Sequence, residues 1–125
     1  MLIMLGSCHC MQIQRTDGLW YWAEYSTFSV SDEVGKYNLT VAGYSGDAGD
    51  AIMAPVNPYH ISNGRMFSTM DDDNDAYAGG NCGVAEGWWF GLCSTSNVNP
   101  DGNGIWQTDN SNYDVQASRM LVKLN

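Results

Sequence analysis

Basic residues are scarce in this chain: five Lys and Arg stand against fourteen Asp and Glu, a formal charge of −9 at pH 7. Such a surface repels phosphate, which excludes nucleic acid as a partner and argues equally against an anionic membrane face. No segment is long and apolar enough to span a bilayer. The apolar start, Met1-Leu2-Ile3-Met4-Leu5-Gly6-Ser7-Cys8, has no basic flank and is shorter than the core of a secretory signal. Internal repeats and low-complexity linkers are also lacking. So is a nucleophile–base–orienter set. Gly43-Tyr44-Ser45-Gly46-Asp47 approaches a nucleophile elbow, but Asp47 replaces the closing glycine. Asp47 and Asp50 read as turn caps and His60 as an inert loop histidine, so no enzyme is expected. Cations, neutral sugars and basic protein patches remain as partners.

The length suits one domain. Leucine is sparse, whereas Gly, Asn, Ser and Asp are abundant alongside five Trp and seven Tyr. That balance favours short strands and long loops. Met11-Gln12-Ile13-Gln14 alternates as a strand does, and Asp17-Gly18 is a hairpin turn. An aromatic strand is predicted over 19–25 and a second short one over 27–30. Ser31 is the expected N-cap of a single helical turn. A strand over 37–41 should end at Gly43, with helix-like residues over 46–53. From Asn57 to Gly104 the chain reads as loop, broken by brief strands near 66–67 and 88–90. Met120 to Leu124 closes it as a strand. Asn38-Leu39-Thr40 is an N-glycosylation sequon, with Asn38 as acceptor.

The long irregular stretch carries the most informative feature, Asp71-Asp72-Asp73-Asn74-Asp75, followed by Gly79-Gly80-Asn81-Cys82. Alternate carboxylates on an irregular loop can turn oxygens toward one point, as a hard cation such as calcium requires. An EF-hand is excluded, because Ala76 would stand where glycine is needed and Cys82 where the bidentate glutamate belongs. Backbone carbonyls must therefore complete any shell. Cys82 and Cys93 are close enough in sequence to form a disulfide, which suits an oxidising, extracellular setting. Cys8-His9-Cys10 offers three metal-ligating types but no nearby fourth ligand.

The residue words resemble the fibrinogen C-terminal (fibrinogen-related) domain, in the ficolin and tachylectin manner. They are Ala23-Glu24-Tyr25-Ser26-Thr27-Phe28, Gly43-Tyr44-Ser45-Gly46-Asp47-Ala48-Gly49-Asp50, Asn63-Gly64-Arg65-Met66-Phe67-Ser68-Thr69, the acidic loop, Asn81-Cys82, Gly87-Trp88-Trp89-Phe90, Cys93 and Gly104-Ile105-Trp106. The resemblance covers 11–125 as the C-terminal portion of such a domain, and leaves 1–10 as an unmatched segment. It implies an α+β, β-rich, loop-dominated fold with short strands and few short helices. It also implies calcium as cofactor, held by the Asp73 and Asp75 side chains and the Tyr77 and Gly79 carbonyls, with Gly80 an alternative to Gly79. The Cys82–Cys93 disulfide would wall a ligand pocket formed with Leu92, Ser94 and Asn97. An unusual peptide bond before Cys93 would aim N–H groups at an acetyl carbonyl. Ser94 replaces a common histidine, and the loop between Asn99 and Gly104 is short.

The expected function is that of a secreted, calcium-dependent recognition domain binding glycans, acetylated ones included, in innate defence. The alternatives are a protein-interaction module of a matrix or receptor-ligand protein, which the altered pocket favours, and a truncated fragment without function of its own. Oligomerisation would require a segment supplied by a longer parent.

Overall fold

The computed structural model describes residues 4–55, 57–83, 86–99, 104–108 and 111–124. Among the described residues seven strands run in chain order: β1 (Met4–Arg15), β2 (Trp20–Val30), β3 (Leu39–Gly46), β4 (Phe67–Ser68), β5 (Trp88–Trp89), β6 (Gly104–Thr108) and β7 (Ser111–Leu124). Five form one sheet in the order β3-β2-β1-β7-β6, with every pairing antiparallel. β4 and β5 make a separate two-stranded ribbon. Among the described residues the only helical element is a 3-10 turn at Pro58–His60, so the β-rich, loop-dominated expectation holds while the α+β label is only loosely met.

The Asp17-Gly18 turn joins β1 to β2 as expected, with the Gly18 N–H donating to the Arg15 carbonyl and the Leu19 N–H to Asp17 Oδ1. On one sheet face Met11, Ile13, Ala23 and Tyr25 are buried, the period of two that the sequence carries. The two strands read over 19–25 and 27–30 are a single strand, β2. The alternation changes phase at the exposed pair Ser26-Thr27, and beyond it Phe28 is the buried residue. The partner strand changes phase at the same place. Gly43, at φ 71°, lies beside Ser26, and a Cβ there would collide with Ser26 Oγ. Gly43 therefore does not end β3 but lets it bend and continue to Gly46.

Three further expectations change. Asp32, not Ser31, caps the turn after β2, its Oδ1 accepting the Gly35 N–H. Gly46 still belongs to β3, and residues 47–53 make bends and a turn in place of a helix, because their side chains serve neighbouring elements. Asp47 Oδ1 accepts the Trp22 N–H, while Asp50 Oδ1 accepts the Tyr25 hydroxyl and the Met53 N–H. The closing strand is fourteen residues long, pairing with β1 on one side and with β6 on the other. β1 itself begins at Met4 and lies at the centre of the sheet. The side chains of Cys8 and His9 lie outside the described residues. Cys10 is a free, partly exposed thiol. Partial burial, then the Glu24 charge, raises its pKa, which keeps it protonated and a weak nucleophile.

Tyr25 gives a pH test of this core. It is fully buried, with its hydroxyl 2.8 Å from Asp50 Oδ1. Burial, followed by the Asp50 charge, pushes its ionisation far above the ordinary tyrosine value. A group whose folded pKa is raised contributes stability that is full below its unfolded value, about pH 10 for tyrosine, and is lost as pH rises past it. Tm should therefore fall between about pH 9.5 and 11, and Tyr25→Phe should fall less steeply there. Equal slopes in a melting series of the two proteins would mean that Tyr25 does not govern the alkaline loss.

Candidate functional site

The β4–β5 ribbon is the base of the acidic loop. Phe67 pairs with Trp89 and Ser68 with Trp88, so residues 69–87 leave and return through one narrow neck. Aromatic packing fixes the neck, since Phe67 and Trp88 both meet Trp89 edge-on with ring centroids 5.2 Å apart. Trp89 Nε1 donates to the Tyr37 carbonyl at 2.8 Å, tying the ribbon to the turn before β3. Trp88 is a core residue, 2% exposed.

Within the loop, asparagines supply the rigidity. The buried Ser68 hydroxyl accepts the Asn74 N–H at 2.8 Å, and Asn74 Nδ2 donates to the Phe67 and Asp72 carbonyls. Asn81 Nδ2 donates to the Thr69 and Met70 carbonyls, and its Oδ1 accepts the Gly83 N–H. Asn74 and Asn81 thus pin both ends of the acidic segment. In the sequence the acidic run masks this role of Asn74, although an Asx residue in a turn is the usual sign of such bonding.

The four carboxylates are then sorted by their surroundings. Asp71 accepts the Thr69 hydroxyl at 2.7 Å, and that bond holds its carboxyl below the usual range. Asp72 pairs with Lys36 at 3.4 Å, an exposed contact of little energetic weight. Asp73 Oδ1 accepts the Asp75 N–H at 3.2 Å. Asp75 is the hub: its Oδ1 accepts the Tyr77 N–H and its Oδ2 the Cys82 N–H, each at 2.8 Å. Beyond it the chain curls at Gly79 and Gly80 around the Tyr77 ring.

Asp73 and Asp75 stand one residue apart with oxygen atoms that keep further lone pairs, and exposed backbone follows at Tyr77 and Gly79. Carboxylate and carbonyl oxygens are the donor chemistry that a hard divalent cation takes. Among the described residues no three His, Cys, Asp or Glu side chains are arranged to hold one metal ion, so backbone carbonyls would have to supply the remaining protein ligands.

The disulfide lies directly behind this loop. Cys82 and Cys93 are bonded, their Cα atoms 5.2 Å apart. Gly91 links three segments: its carbonyl accepts the Ala76 N–H, its N–H donates to the Cys93 carbonyl, and a Cβ would lie 2.5 Å from the Tyr59 carbonyl. Only glycine permits that approach. Leu92 is exposed and donates its N–H to the Tyr59 carbonyl, and Tyr59 is 63% exposed. The peptide before Cys93 is trans, and the unusual geometry is instead a left-handed Cys93, φ 57°. Ser94, Ser62 and Ser96 form a triangle of hydroxyls with sides of 3.1–3.2 Å; Ser62 and Ser96 are buried and Ser94 is partly exposed. Asn97 is placed apart from this surface. It is 5% exposed, its Nδ2 donating to Glu86 Oε1 at 2.8 Å and its Oδ1 accepting the Asn99 N–H. Backbone bonds from Ile105 and Gln107 to Asn97 and Thr95 fasten the segment to β6. Asn38 sits just before β3, half exposed, its Nδ2 donating to the Gly64 carbonyl at 3.0 Å.

The described residues thus combine a five-stranded antiparallel sheet with a separate short ribbon that bases a disulfide-stapled acidic loop. The comparisons give the family. Residues 7–118 match the family described as "Fibrinogen beta and gamma chains, C-terminal globular domain", and the chain belongs to it. Human fibroleukin is 38% identical over 91 residues, covering 71% of this chain and 20% of that protein. Protein scabrous of Drosophila melanogaster is 35% identical over 130 residues, covering 97% of this chain and 15% of that one. The fibrinogen-like globe domain of human ANGPTL2 superposes with a TM-score of 0.79 at 27% identity, over 96% of this chain and 59% of that one. Lamprey fibrin D-dimer, solved with the peptide ligand Gly-His-Arg-Pro-amide, gives 0.78 at 25% identity, over 90% of this chain and 44% of that one. The chain thus spans about a fifth of the length of fibroleukin and about three-fifths of the ANGPTL2 globe chain.

Proposed function

We propose that this chain is an extracellular recognition module whose ligand surface is the disulfide face, with calcium ordering the acidic loop behind it. The observation that carries the reading is Asp75. One oxygen of its carboxylate holds the Tyr77 N–H and the other the Cys82 N–H, so a cation on Asp73 and Asp75 would fix the loop and the disulfide together. Asp73, Asp75 and the carbonyls of Tyr77 and Gly79 would hold the ion, which would supply structural order. Exposed Tyr59, Tyr77 and Leu92 beside Cys82–Cys93 offer apolar area for a protein or peptide ligand. The disulfide supports a secreted, oxidising location, and Asn38 is the proposed glycan acceptor there.

The finer reading is recognition of acetylated glycans in defence. It is favoured by the exposed Leu92 and the disulfide standing beside the Ser94 hydroxyl. An apolar slot with a nearby polar group is what an acetamido substituent needs. The two readings separate in one experiment. Binding of Gly-His-Arg-Pro-amide and of N-acetylglucosamine would be measured by calorimetry with calcium and with chelator. Calcium-dependent binding of the peptide is expected, and calcium-dependent binding of the sugar would establish the finer reading. No binding of either, in a protein that still melts at a higher temperature with calcium, would remove the disulfide face as the ligand surface.

A further inference from the structure

The opposite face of the large sheet carries a second cluster, independent of the acidic loop and the disulfide. β1, β2 and β7 present three successive rows there: Glu24, Cys10 and Leu121; Trp22, Gln12 and Arg119; Trp20, Gln14 and Ala117. Cys10, Gln12, Trp20, Trp22, Glu24 and Arg119 line a cavity of about 580 Å³, within the size range of small-molecule sites. Trp20 and Trp22 are 42% and 41% exposed, large areas of indole to leave in water on one strand. Two residues of strand rise set them roughly 7 Å apart along β2. The Arg119 guanidinium lies over the Trp20 ring, 4.7 Å from its centroid, which holds this donor at the edge of the site.

The polar groups decide what fits. The Gln12 carboxamide, the Glu24 carboxylate and the Arg119 guanidinium make no side-chain hydrogen bond or ion pair among the described residues. Glu24 and Arg119 cancel in charge, so nothing here selects a highly charged ligand. The three groups supply both donors and acceptors beside the two exposed indoles. A proline-rich segment, the usual occupant of aromatic grooves, presents carbonyl acceptors and few N–H donors, which would leave Glu24 and the Gln12 carbonyl facing nothing. A sugar ring presents C–H faces to the indoles and, around its rim, hydroxyls that both donate and accept.

We propose that this face is a second, calcium-independent binding site for a neutral oligosaccharide, stacked on Trp22 beside the Arg119-capped Trp20 and hydrogen-bonded by Gln12, Glu24 and Arg119. It does not rest on the function proposed for the disulfide face. The test uses the full chain in chelator, with cellotetraose, maltotetraose and mannotetraose as probes. Saturation-transfer NMR and tryptophan fluorescence titration would be read on wild type, Trp22→Ala and Glu24→Gln, with Tm as the folding control. At least one probe should bind. Trp22→Ala should weaken it tenfold or more, and Glu24→Gln several-fold, with Tm little changed because both side chains reach solvent. The proposal is overturned if no probe binds the folded wild type, or if affinity is the same in both variants. It is overturned equally if a proline-rich decapeptide occupies the site in place of the sugars, or if sedimentation shows a dimer that buries Trp20 and Trp22. Loss of calcium binding at Asp73 and Asp75 would leave the expected sugar titration unaltered.

Discussion

Trp106→Ala is expected to lower the unfolding free energy by about 3–5 kcal/mol, the range for removing a large buried aromatic side chain. The residue is 0% exposed, and its Nε1 donates to the Gly49 carbonyl at 3.0 Å. It thereby fastens β6 to the turns after β3, where Ala48, Ala51 and Ile52 belong to the same core cluster. The hole cannot close easily, because β6 is fixed on one side by β7 and on the other by backbone bonds to Thr95 and Asn97. The Gly49 carbonyl would lose one of its two donors and keep the Ala51 N–H, so the expected loss comes from the cavity. Set against a total stability of about 5–15 kcal/mol for a domain of ordinary kind, this is a large fraction. Urea denaturation would measure it. Trp106→Phe should fall between wild type and alanine, since it keeps ring volume and loses the hydrogen bond. A loss below about 1.5 kcal/mol for alanine would mean that the site collapses around the missing ring.

Replacing both Cys82 and Cys93 with serine should destabilise the chain by roughly 3 kcal/mol. The bridge closes a segment of sequence separation 11 that includes β5, a ribbon strand of only two residue pairs. Because the Cys82 N–H is held by Asp75, the effect should extend beyond stability. Freed from Cys93, residue 82 no longer fixes one end of the acidic loop, and any stabilisation by calcium should shrink in the serine variant. Melting curves of both proteins with and without calcium would separate the two effects. A lower Tm with an unchanged calcium increment would show that the loop is ordered by Asn74 and Asn81 without help from the disulfide.

Much of this was legible where the deciding interaction is local. Asp17-Gly18 defines its hairpin from two residues, and Met11 and Ile13 declare the buried face of β1 by alternation. The disulfide and the family could be read from Gly, Trp and Cys words whose order is conspicuous. The misses are non-local. Residues 46–53 have helix-compatible side chains, but Asp47 and Asp50 spend theirs on Trp22 and Tyr25, twenty-five residues earlier in the chain. β6 and most of β7 escaped notice because their pairing partners, not their own pattern, make them strands. Gly43 looked like a terminator because its left-handed φ also suits a turn. Only the facing Ser26-Thr27 phase change shows that it is a bend within a continuing strand. In the acidic loop the carboxylates drew attention, whereas Asn74, Asn81 and Ser68 do the positioning.

The central claim is that Asp73 and Asp75 bind calcium and thereby order the disulfide face. The measurement that tests it most directly is a thermal melt of the oxidised protein with and without millimolar calcium, run in parallel on the double variant Asp73→Ala, Asp75→Ala. If calcium is present at about a hundredfold its Kd, the gain is about 2.7 kcal/mol, which for a chain of this size raises Tm by roughly 10 °C. The account predicts that rise in the wild type and none in the double variant, with both proteins unfolding cooperatively. An equal rise in both, or no rise in a cooperatively folded wild type, would contradict it.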